Sequence, residues 1–486
     1  MKTLNRRQAL VLGVAGTAAV AVGGGGLLWA QAPFRAETGD RLKEPVNLSS
    51  QEGMLTERLE AAPARIMVAG RPASVAAYNS SLPGPTLRLR PGDRLRITLV
   101  NRLDMATNLH VHGLHVSPAG NGDNSFVSIE PGESFDYEYD LPANHPSGTF
   151  WYHPHHHGSV ADQLAAGLYG AIVVEDPERL PVTRERLLVV SDISLTSSGS
   201  LRPPSAAEQV MGREGETVLV NGQVRPMLSA TAGDRERWRV INACPARYLR
   251  LQLAESQLQV LAFDGRSLAA PAQVDEVVLA PGNRADLLVE AVNGLTILRA
   301  ASFDRGRMTG MMGSGQGPRT EPVDLLSLDT SGAQRSGLPP VTGTGHPRDL
   351  RKEAVAARRR LDFSMGMGMG IRSGMGPGGM SFTINGKVFD GGRIDEIVSV
   401  GSVEEWTLTN SSPMDHPMHL HVWPMQVIEQ DGQSIPGPRW QDVVNIPARS
   451  EVKVLVSFDD FPGRSVFHCH ILDHEDRGMM GVLEAR

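Results

Sequence analysis

Residues 91–101 read PGDRLRITLVN, a turn followed by a stretch in which apolar and polar side chains alternate. The same order recurs at residues 232–242 (AGDRERWRVIN) and 400–410 (VGSVEEWTLTN), each time with an Asn nine residues after the turn Gly. Alternation with a period of two is typical of a strand with one buried face. Three copies of one turn-and-strand unit predict three related β domains in the chain.

A second repeated unit lies downstream of each copy. It is again a turn before an alternating strand, and it reads Glu130-Pro131-Gly132 before 134–141, Ala280-Pro281-Gly282 before 285–291 and Ile446-Pro447-Ala448 before 452–458. Any β protein contains strand and turn units, but the shared order and spacing across three copies favours repetition. The pattern predicts an all-β fold of three two-sheet sandwiches, with domains at residues 46–178, 179–330 and 348–486.

The composition is that of a soluble globular protein with several cores. The 486 residues include 41% apolar side chains and carry a formal net charge of -7. A chain of this length is expected to form roughly two to four domains. The mild negative charge argues against a nucleic-acid partner, which normally requires a basic patch.

The N-terminus has the features of an export signal. Arg6 and Arg7 precede an apolar, Ala- and Gly-rich stretch, which resembles a twin-arginine signal over residues 1–32. We therefore expect the twin-arginine export machinery as a partner and a periplasmic or exported location. Ala30-Gln31-Ala32 has the form of a cleavage site, but Pro33 follows it directly, so an uncleaved membrane anchor is the alternative.

The chain has only two cysteines, Cys244 and Cys469, so an exported protein would lack a disulfide framework. Cys244 lies in an apolar stretch and is predicted to be a small buried thiol. Cys469 lies between two histidines, which favours a metal site.

Three further segments depart from the strand pattern. Residues 305–316 and 364–380 are rich in Gly and Met, and residues 348–360 predict a short charged helix whose arginines face solvent. Thioethers are soft ligands that select Cu(I), although a Gly-Met loop without any site is the alternative. The methionines concerned are Met308, Met311 and Met312 in the first stretch, and Met365, Met367, Met369, Met375 and Met380 in the second.

Twelve of the 15 histidines lie in four short clusters. In a strand, residues i and i+2 point the same way, so a His-x-His pair presents two imidazoles to one face. Four such clusters brought together from two domains can surround several metal ions. The clusters are His110-Val111-His112-Gly113, Trp151-Tyr152-His153-Pro154-His155-His156-His157-Gly158, His416-Pro417-Met418-His419-Leu420-His421, and His468-Cys469-His470 with His474 and Met479 downstream.

The fourth cluster indicates which metal is bound. A thiolate, two imidazoles and a weak thioether form the ligand set of a blue electron-transfer copper. Here these would be Cys469, His474 and Met479, with His416 from the third cluster. If Cys469 faces that copper, its two neighbours face the other side of the strand and can bind a second centre.

Together, the four clusters resemble the copper-binding motifs of the multicopper oxidases, in family order and across all three domains. The resemblance extends to bacterial laccases and periplasmic cuprous oxidases. It implies three consecutive cupredoxin-like Greek-key β sandwiches and four copper ions. The implied ligands are His416, Cys469, His474 and Met479 for type 1 copper, His110 and His419 for type 2, and His112, His153, His155, His421, His468 and His470 for the type 3 pair.

Some residues depart from the family pattern without removing a ligand. Val111 stands where a Trp is usual, and Val422-Trp423 follows the third cluster where a Gly is common. His157 is predicted to orient a ligand from behind.

The resemblance implies that electrons enter at type 1 copper, pass through Cys469 with His468 and His470, and reduce dioxygen to water. This reaction needs protons, and Asp123 and Glu475 are the expected donors. For Asp123, a structural role in the turn at 120–124 is the alternative.

The reducing substrate is expected to be cuprous ion, with a role in copper tolerance. Met414 and Asp415 immediately precede His416 and are predicted to hold the substrate beside its exposed edge, together with Met365, Met367 and Met369. A laccase acting on phenols and a non-catalytic copper-resistance protein are the alternatives. Copper nitrite reductase fits poorly, because it has fewer domains and no His-Cys-His motif. A monomer is expected.

Overall fold

The computed structural model describes residues 39–254, 257–306, 321–343, 347–367 and 380–486. The predicted export signal lies outside these ranges. Within them, no helix is both long and apolar enough to cross a membrane.

The first sandwich is built from residues 47–174. Its elements are β1 Asn47–Ser49, β2 Met54–Val68, β3 Arg71–Tyr78, β4 Thr86–Leu89, β5 Arg94–Asn101, β6 His110–His112, β7 Ser134–Asp140, β8 Gly148–His153, α1 Val160–Ala166 and β9 Gly170–Val174. One sheet has the order β1-β4-β9-β8-β6 and the other β3-β2-β5-β7. Strand β6 pairs with β8, so the first two histidine clusters lie side by side, with His110 opposite His153.

The second sandwich follows in the same style. Its elements are β10 Arg184–Ile193, α2 Ala206–Met211, β11 Thr217–Val220, β12 Met227–Thr231, β13 Arg235–Asn242, β14 Leu249–Leu253, β15 Leu258–Phe263, β16 Arg266–Val274, β17 Val277–Leu279, β18 Arg284–Glu290, β19 Gly294–Ala301 and β20 Val323–Ser331. The sheets are β11-β10-β13-β18-β15-β16 and β12-β20-β19-β14-β17.

The third sandwich carries the last two clusters. Its elements are a 3-10 turn at Leu350–Lys352, β21 Val355–Met367, β22 Met380–Ile384, β23 Glu396–Val398, β24 Ser402–Asn410, β25 His416–Leu420, β26 Met425–Gln430, β27 Gln433–Gln441, β28 Val443–Ile446, β29 Glu451–Phe458, β30 Gly463–Cys469, α3 Leu472–Glu475 and β31 Met480–Ala485. The sheets are β22-β21-β24-β29-β26-β27 and β23-β31-β30-β25-β28. Strands β25 and β30 are neighbours, with His419 opposite His468.

The repeated sequence units occupy equivalent places in the three sandwiches. Strands β5, β13 and β24 each pair in parallel with the strand three places earlier in the chain (β2, β10 and β21) and antiparallel with the strand of the second unit. The repeated Asn is buried at the end of each strand, and its amide donates to a carbonyl just before the second turn. These bonds are Asn101 to Ile129 at 2.8 Å, Asn242 to Leu279 at 3.0 Å and Asn410 to Ile446 at 2.9 Å. The Asn therefore recurs because it ties the end of the first repeated strand to the start of the second repeated turn.

The predicted helix at residues 348–360 is wrong beyond one 3-10 turn. From Val355 the chain is strand β21, in which half-buried and exposed side chains alternate. Arg359 forms an ion pair with Glu404 at 2.6 Å, as Arg186 does with Glu236 in the second sandwich. Strand pairing and this ion pair override the helical propensity of a segment rich in Arg, Lys and Ala.

Each sandwich has its own apolar core, centred on Tyr137, Trp238 and Trp406 respectively. The all-β prediction is confirmed, and Cys244 is buried in the second core as predicted. Contacts group residues 39–486 as one unit, so the domain boundaries predicted from the sequence stay predictions.

Candidate metal centres

A thiol and two imidazoles meet at the edge of the third core. Cys469 ends β30, and its Sγ lies 3.5 Å from Nδ1 of His416 and 3.8 Å from Nδ1 of His474. All three side chains are buried and their ligand atoms lie within 4.8 Å of one another. Burial raises the pKa of the Cys469 thiol far above its ordinary value, so a bound cation is needed to hold it as a thiolate.

Met479 lies in the same core as Cys469 and is fully buried. Its backbone carbonyl accepts a hydrogen bond of 3.0 Å from the Cys469 amide. The two residues are therefore held together at the end of β30, as an axial methionine requires.

The outer edges of both imidazoles are closed by hydrogen bonds. Nε2 of His416 donates to Ser412 Oγ at 2.8 Å, and Nε2 of His474 donates to the Val210 carbonyl at 2.9 Å. These bonds leave Nδ1 of each ring facing the thiol. The expectation that His416 has an exposed edge is wrong, because this side chain has 0% exposure. The sequence did not predict either hydrogen-bond partner, Ser412 or Val210.

A second group of histidines lies between the first and third sandwiches. Nε2 of His110 lies 3.3 Å from Nε2 of His419. Nε2 of His468 lies 3.1 Å from that of His155 and 3.2 Å from that of His421. Nitrogens converge in this way when they face a shared metal site rather than one another.

Three more imidazoles complete the group. Nε2 of His112, His153 and His470 is buried and has no hydrogen-bond partner among the described residues. The ring centre of His470 is 5.0 Å from that of His112 and 5.8 Å from that of His153. A buried nitrogen without a partner is costly. Ligand nitrogens of His112 and His153 lie within 4.8 Å of each other and of one on His110, which fits a metal ion, and the His470 ring lies beside both.

The opposite nitrogens of several rings are fixed by backbone carbonyls. Nδ1 of His153 donates to the Pro154 carbonyl at 2.8 Å. Nδ1 of His419 donates to the Asp442 carbonyl at 2.8 Å, and Nδ1 of His468 donates to the Cys469 carbonyl at 3.1 Å. Each bond selects the tautomer whose Nε2 is free to bind a metal. Burial also lowers the pKa of the histidines in this group, to about 4 for His155 and His468. The rings are therefore neutral and able to bind metal.

Asp123 lies behind the first cluster. Each of its carboxylate oxygens is 2.9 Å from Nδ1 of His110, and the Val111 amide donates to it at 3.1 Å. Burial raises the pKa of Asp123 to about 7, against the smaller opposing effect of that amide. The side chain therefore does more than complete a turn.

Glu475 lies between two histidines on the other side of the group. Its carboxylate is fully buried, with Oε2 3.0 Å from Nδ1 of His468 and Oε1 3.4 Å from Nε2 of His155. Burial raises the pKa of Glu475 to about 7. A carboxyl that exchanges a proton near neutral pH suits proton delivery.

The structure does not place the predicted substrate residues at a free surface. Met414 is fully buried and Met365 is 8% exposed, and both pack in the third core. The carboxylate oxygens of Asp415 accept bonds of 2.9 Å from Asn445 Nδ2 and the Ala448 amide. Met414 and Met365 are thus packing residues, and Asp415 ties the start of β25 to β28 and to the turn after β28. Met367 ends β21, while Met308, Met311, Met312, Met369 and Met375 lie outside the described residues.

His157 does not orient a ligand as predicted. Its ring is exposed and lies against Phe389, with ring centres 4.5 Å apart. At the departures from the family pattern, Val111 and Trp423 are both fully buried and fill core positions.

Comparison with known proteins agrees with this geometry. Family models described as multicopper oxidase match residues 60–179, 192–299 and 365–486. "Multicopper oxidase mco" of Staphylococcus haemolyticus is 31% identical over 84% of this chain and 83% of its own length. "Laccase" of Bacillus subtilis is 26% identical over 85% of this chain and 90% of its own length. "Cell division protein FtsP" of Xenorhabdus nematophila is 30% identical over 82% of each chain.

Solved structures share the architecture. A protein described as "Multicopper oxidase from Campylobacter jejuni: a metallo-oxidase" superimposes with a TM-score of 0.80 and 30% identity, over 92% of this chain and 95% of that one. The fold is thus that of three cupredoxin-like sandwiches.

Proposed function

The chain belongs to the multicopper oxidase family, and we propose that it oxidises cuprous ion at a blue copper and reduces dioxygen to water at a three-copper cluster. As a copper-dependent oxidoreductase it uses dioxygen as acceptor. In this proposal type 1 copper is held by His416, Cys469, His474 and Met479, type 2 by His110 and His419, and the type 3 pair by His112, His153, His155, His421, His468 and His470.

One observation carries the proposal. Cys469 turns its sulfur to His416 and His474. Nε2 of its neighbour His468 approaches Nε2 of His155, and the ring of its other neighbour, His470, lies beside those of His112 and His153. Two centres are thereby joined through one residue of backbone on each side. Bound copper supplies the one-electron redox chemistry at both centres.

The protein itself supplies the electron path between the centres, excludes water and donates protons. The peptide units flanking Cys469 connect the thiol to both neighbouring imidazoles. Buried histidines exclude bulk water from the cluster. Glu475 and Asp123, with pKa values raised to about 7, hold protons beside His468 and His110 for transfer to the reduced oxygen.

The described ends of both Met-rich stretches lie near the thiol site, which supports a cuprous substrate. The Asp415 amide donates to the Arg305 carbonyl at 2.7 Å, and Gly306 forms a β-bridge with Met414. The first two residues of the first stretch thus lie beside the two residues that precede His416. The second stretch leads into β22, where Phe382 stacks on His474 with ring centres 4.7 Å apart. Thioethers are soft ligands that select Cu(I).

The closed imidazole edges are a second support. With Nε2 of His416 bonded to Ser412 and that of His474 to Val210, a bulky phenol has no bare imidazole to contact. A small ion can bind next to the residues that cover these rings and transfer its electron without touching an imidazole.

Phenol oxidation is the second candidate, favoured by the relative from Bacillus subtilis whose name is laccase. A non-catalytic role is the remaining candidate, and one relative is named a cell division protein. The complete set of converging imidazoles argues against that role, because unoccupied buried nitrogens only destabilise a structural protein. We further propose export by the twin-arginine route, a periplasmic location and a contribution to copper tolerance.

The substrate proposal is tested by replacing residues 368–379 with a short Gly-Ser turn. Met367 and Met380 are paired across β21 and β22, so this change leaves the hairpin strands in place. Oxygen uptake should fall with Cu(I) and stay unchanged or rise with 2,6-dimethoxyphenol. The control is Met54→Leu with Met67→Leu, which removes two exposed methionines in the first sandwich. Loss of phenol oxidation with intact Cu(I) turnover would leave a laccase instead.

A further inference from the structure

The second sandwich holds none of the proposed copper ligands, yet one of its turns reaches the histidine cluster. The turn joins β17 to β18 and contains Gly282, and Arg284 is the first residue of β18. A Cβ atom on Gly282 would lie 2.9 Å from the ring of His470, so this glycine backs directly onto a proposed ligand. Arg284 is fully buried beside it.

Arg284 joins all three sandwiches. Its Nη1 and Nη2 donate to the two carboxylate oxygens of Asp442, each at 2.6 Å, in a two-pronged ion pair with the third sandwich. Its Nε donates to the Thr149 carbonyl of β8 at 3.1 Å. Asp264 accepts from the amides of Arg284 at 2.8 Å and Asp442 at 3.2 Å, which fixes both backbones.

Asp442 faces one histidine from each of two sandwiches. Its backbone carbonyl accepts from Nδ1 of His419 at 2.8 Å, and its Oδ1 lies 3.8 Å from that nitrogen and 3.7 Å from Nδ1 of His112. Nη1 of Arg284 also lies 3.4 Å from Nδ1 of His112. Once Nε2 of His112 binds a metal, its Nδ1 is a donor, as is Nη1 of Arg284, so these two nitrogens do not bond to each other. The Asp442 carboxylate is therefore the group that attracts the His112 imidazole.

The glycine after the first His-x-His pair makes room for this ion pair. Gly113 has a φ of +84°, and a Cβ atom there would overlap both Nη2 of Arg284 and Oδ2 of Asp442. Any side chain at position 113 would push the pair away from His112.

We propose that the Arg284–Asp442 pair is a positioning device that sets His112 and His419 relative to each other, and so sets the geometry of type 2 copper and one type 3 copper. The inference rests on the ligand assignment under Proposed function. It gives the second sandwich a role in the cluster although it donates no ligand.

The chemistry of the pair makes the inference testable. The planar guanidinium binds both carboxylate oxygens at once, which a lysine cannot reproduce although it keeps the charge. Changing a group that orients metal-bound histidines typically costs about 10- to 100-fold in metal affinity. The type 1 site is attached to a different set of contacts and serves as an internal control.

The experiment compares Arg284→Lys with Arg186→Lys in the copper-loaded protein. Arg186 forms a similar buried two-pronged pair with Glu236, at 2.9 and 3.1 Å, within the second sandwich. We expect Arg284→Lys to keep the blue absorption, to change the type 2 electron paramagnetic resonance spectrum, and to lose type 2 copper to a chelator at about 10- to 100-fold lower concentration. Arg186→Lys should leave both signals as in the wild type.

A second variant guards against misfolding. Asp442→Asn keeps the shape of the side chain and removes its charge, and it should change the same type 2 signals. The inference is overturned if Arg284→Lys is blue and keeps both the type 2 spectrum and the chelator resistance of the wild type. If Arg284→Lys does not accumulate, the same result in Asp442→Asn overturns it. Failure of the ligand assignment is distinguished from this result, because the wild type would then show no type 2 signal at all.

Discussion

Cys469 and His468 are adjacent in β30 but serve opposite sides of it. The Cys469 sulfur lies 3.5 Å from Nδ1 of His416, whereas Nε2 of His468 lies 3.1 Å from Nε2 of His155. One peptide unit thus links a ligand of the proposed blue copper to a ligand of the proposed three-copper cluster. The alternation of side chains along a strand produces this arrangement directly.

Cys469→Ser should abolish the blue absorption and electron entry. A hydroxyl does not replace the soft thiolate that gives this copper its character. The type 2 signal should remain, because no cluster histidine is changed. Absorption and electron paramagnetic resonance spectra of the loaded variant provide the check. A blue variant with the wild-type oxidase rate would show that the assignment of Cys469 is wrong.

Met479→Leu should stay blue and keep its copper while the reduction potential of type 1 copper rises. The axial thioether binds weakly, so its loss alters the potential more than the affinity. Redox titration and metal analysis measure the two effects. Met480→Leu is the control, since Met480 follows in β31 and is also buried. Loss of copper from Met479→Leu alone would argue against an axial role.

Ser412→Ala should raise the type 1 potential and reduce stability. The change removes the acceptor for Nε2 of His416, which leaves a buried donor unpaired at a cost of about 1–3 kcal/mol. An imidazole without that bond is a poorer donor to Cu(II), which raises the potential. Ser411→Ala, at the exposed neighbouring position, is the control. Equal potentials in the two variants would contradict the proposed role of Ser412.

Glu475→Gln should change how the stability of copper-free protein depends on pH. Burial raises the folded-state pKa of Glu475 from 4.5 to about 7, so the folded state binds this proton more tightly than the unfolded state. Wild-type stability should therefore fall as pH rises from 4.5 to about 7, by on the order of 3 kcal/mol relative to the variant. His155 and His468, with pKa values of about 4, stay neutral over most of this range.

Denaturant unfolding at pH 5 and pH 8 measures this difference. Glu52→Gln, at an exposed position, controls for the loss of one carboxyl group. A Glu475→Gln variant whose stability relative to wild type is the same at both pH values would show that the buried carboxyl does not titrate as described.

The sequence predicted what local spacing controls. The repeated strands β5, β13 and β24 follow from alternation, and the grouping of histidines follows from the i, i+2 rule. Asp123 and Glu475 were found because each lies near a histidine motif in the chain.

Partners that come from distant segments could not be predicted in this way. Arg284 and Asp442 are 158 residues apart and meet only when the sandwiches pack together. Val210 reaches His474 from another sandwich. Met414 was expected beside a substrate because of its position in the chain, but the third core buries it. Residues 348–360 were misassigned because local propensity carries no information about strand partners.

The copper content and electron paramagnetic resonance spectrum of the fully loaded protein test the central claim most directly. We expect four copper ions per chain, with one type 1 signal, one type 2 signal and the remaining two ions silent as a coupled pair. A protein that saturates at one or two copper ions, or that shows the blue signal without any type 2 signal, would contradict the three-copper cluster.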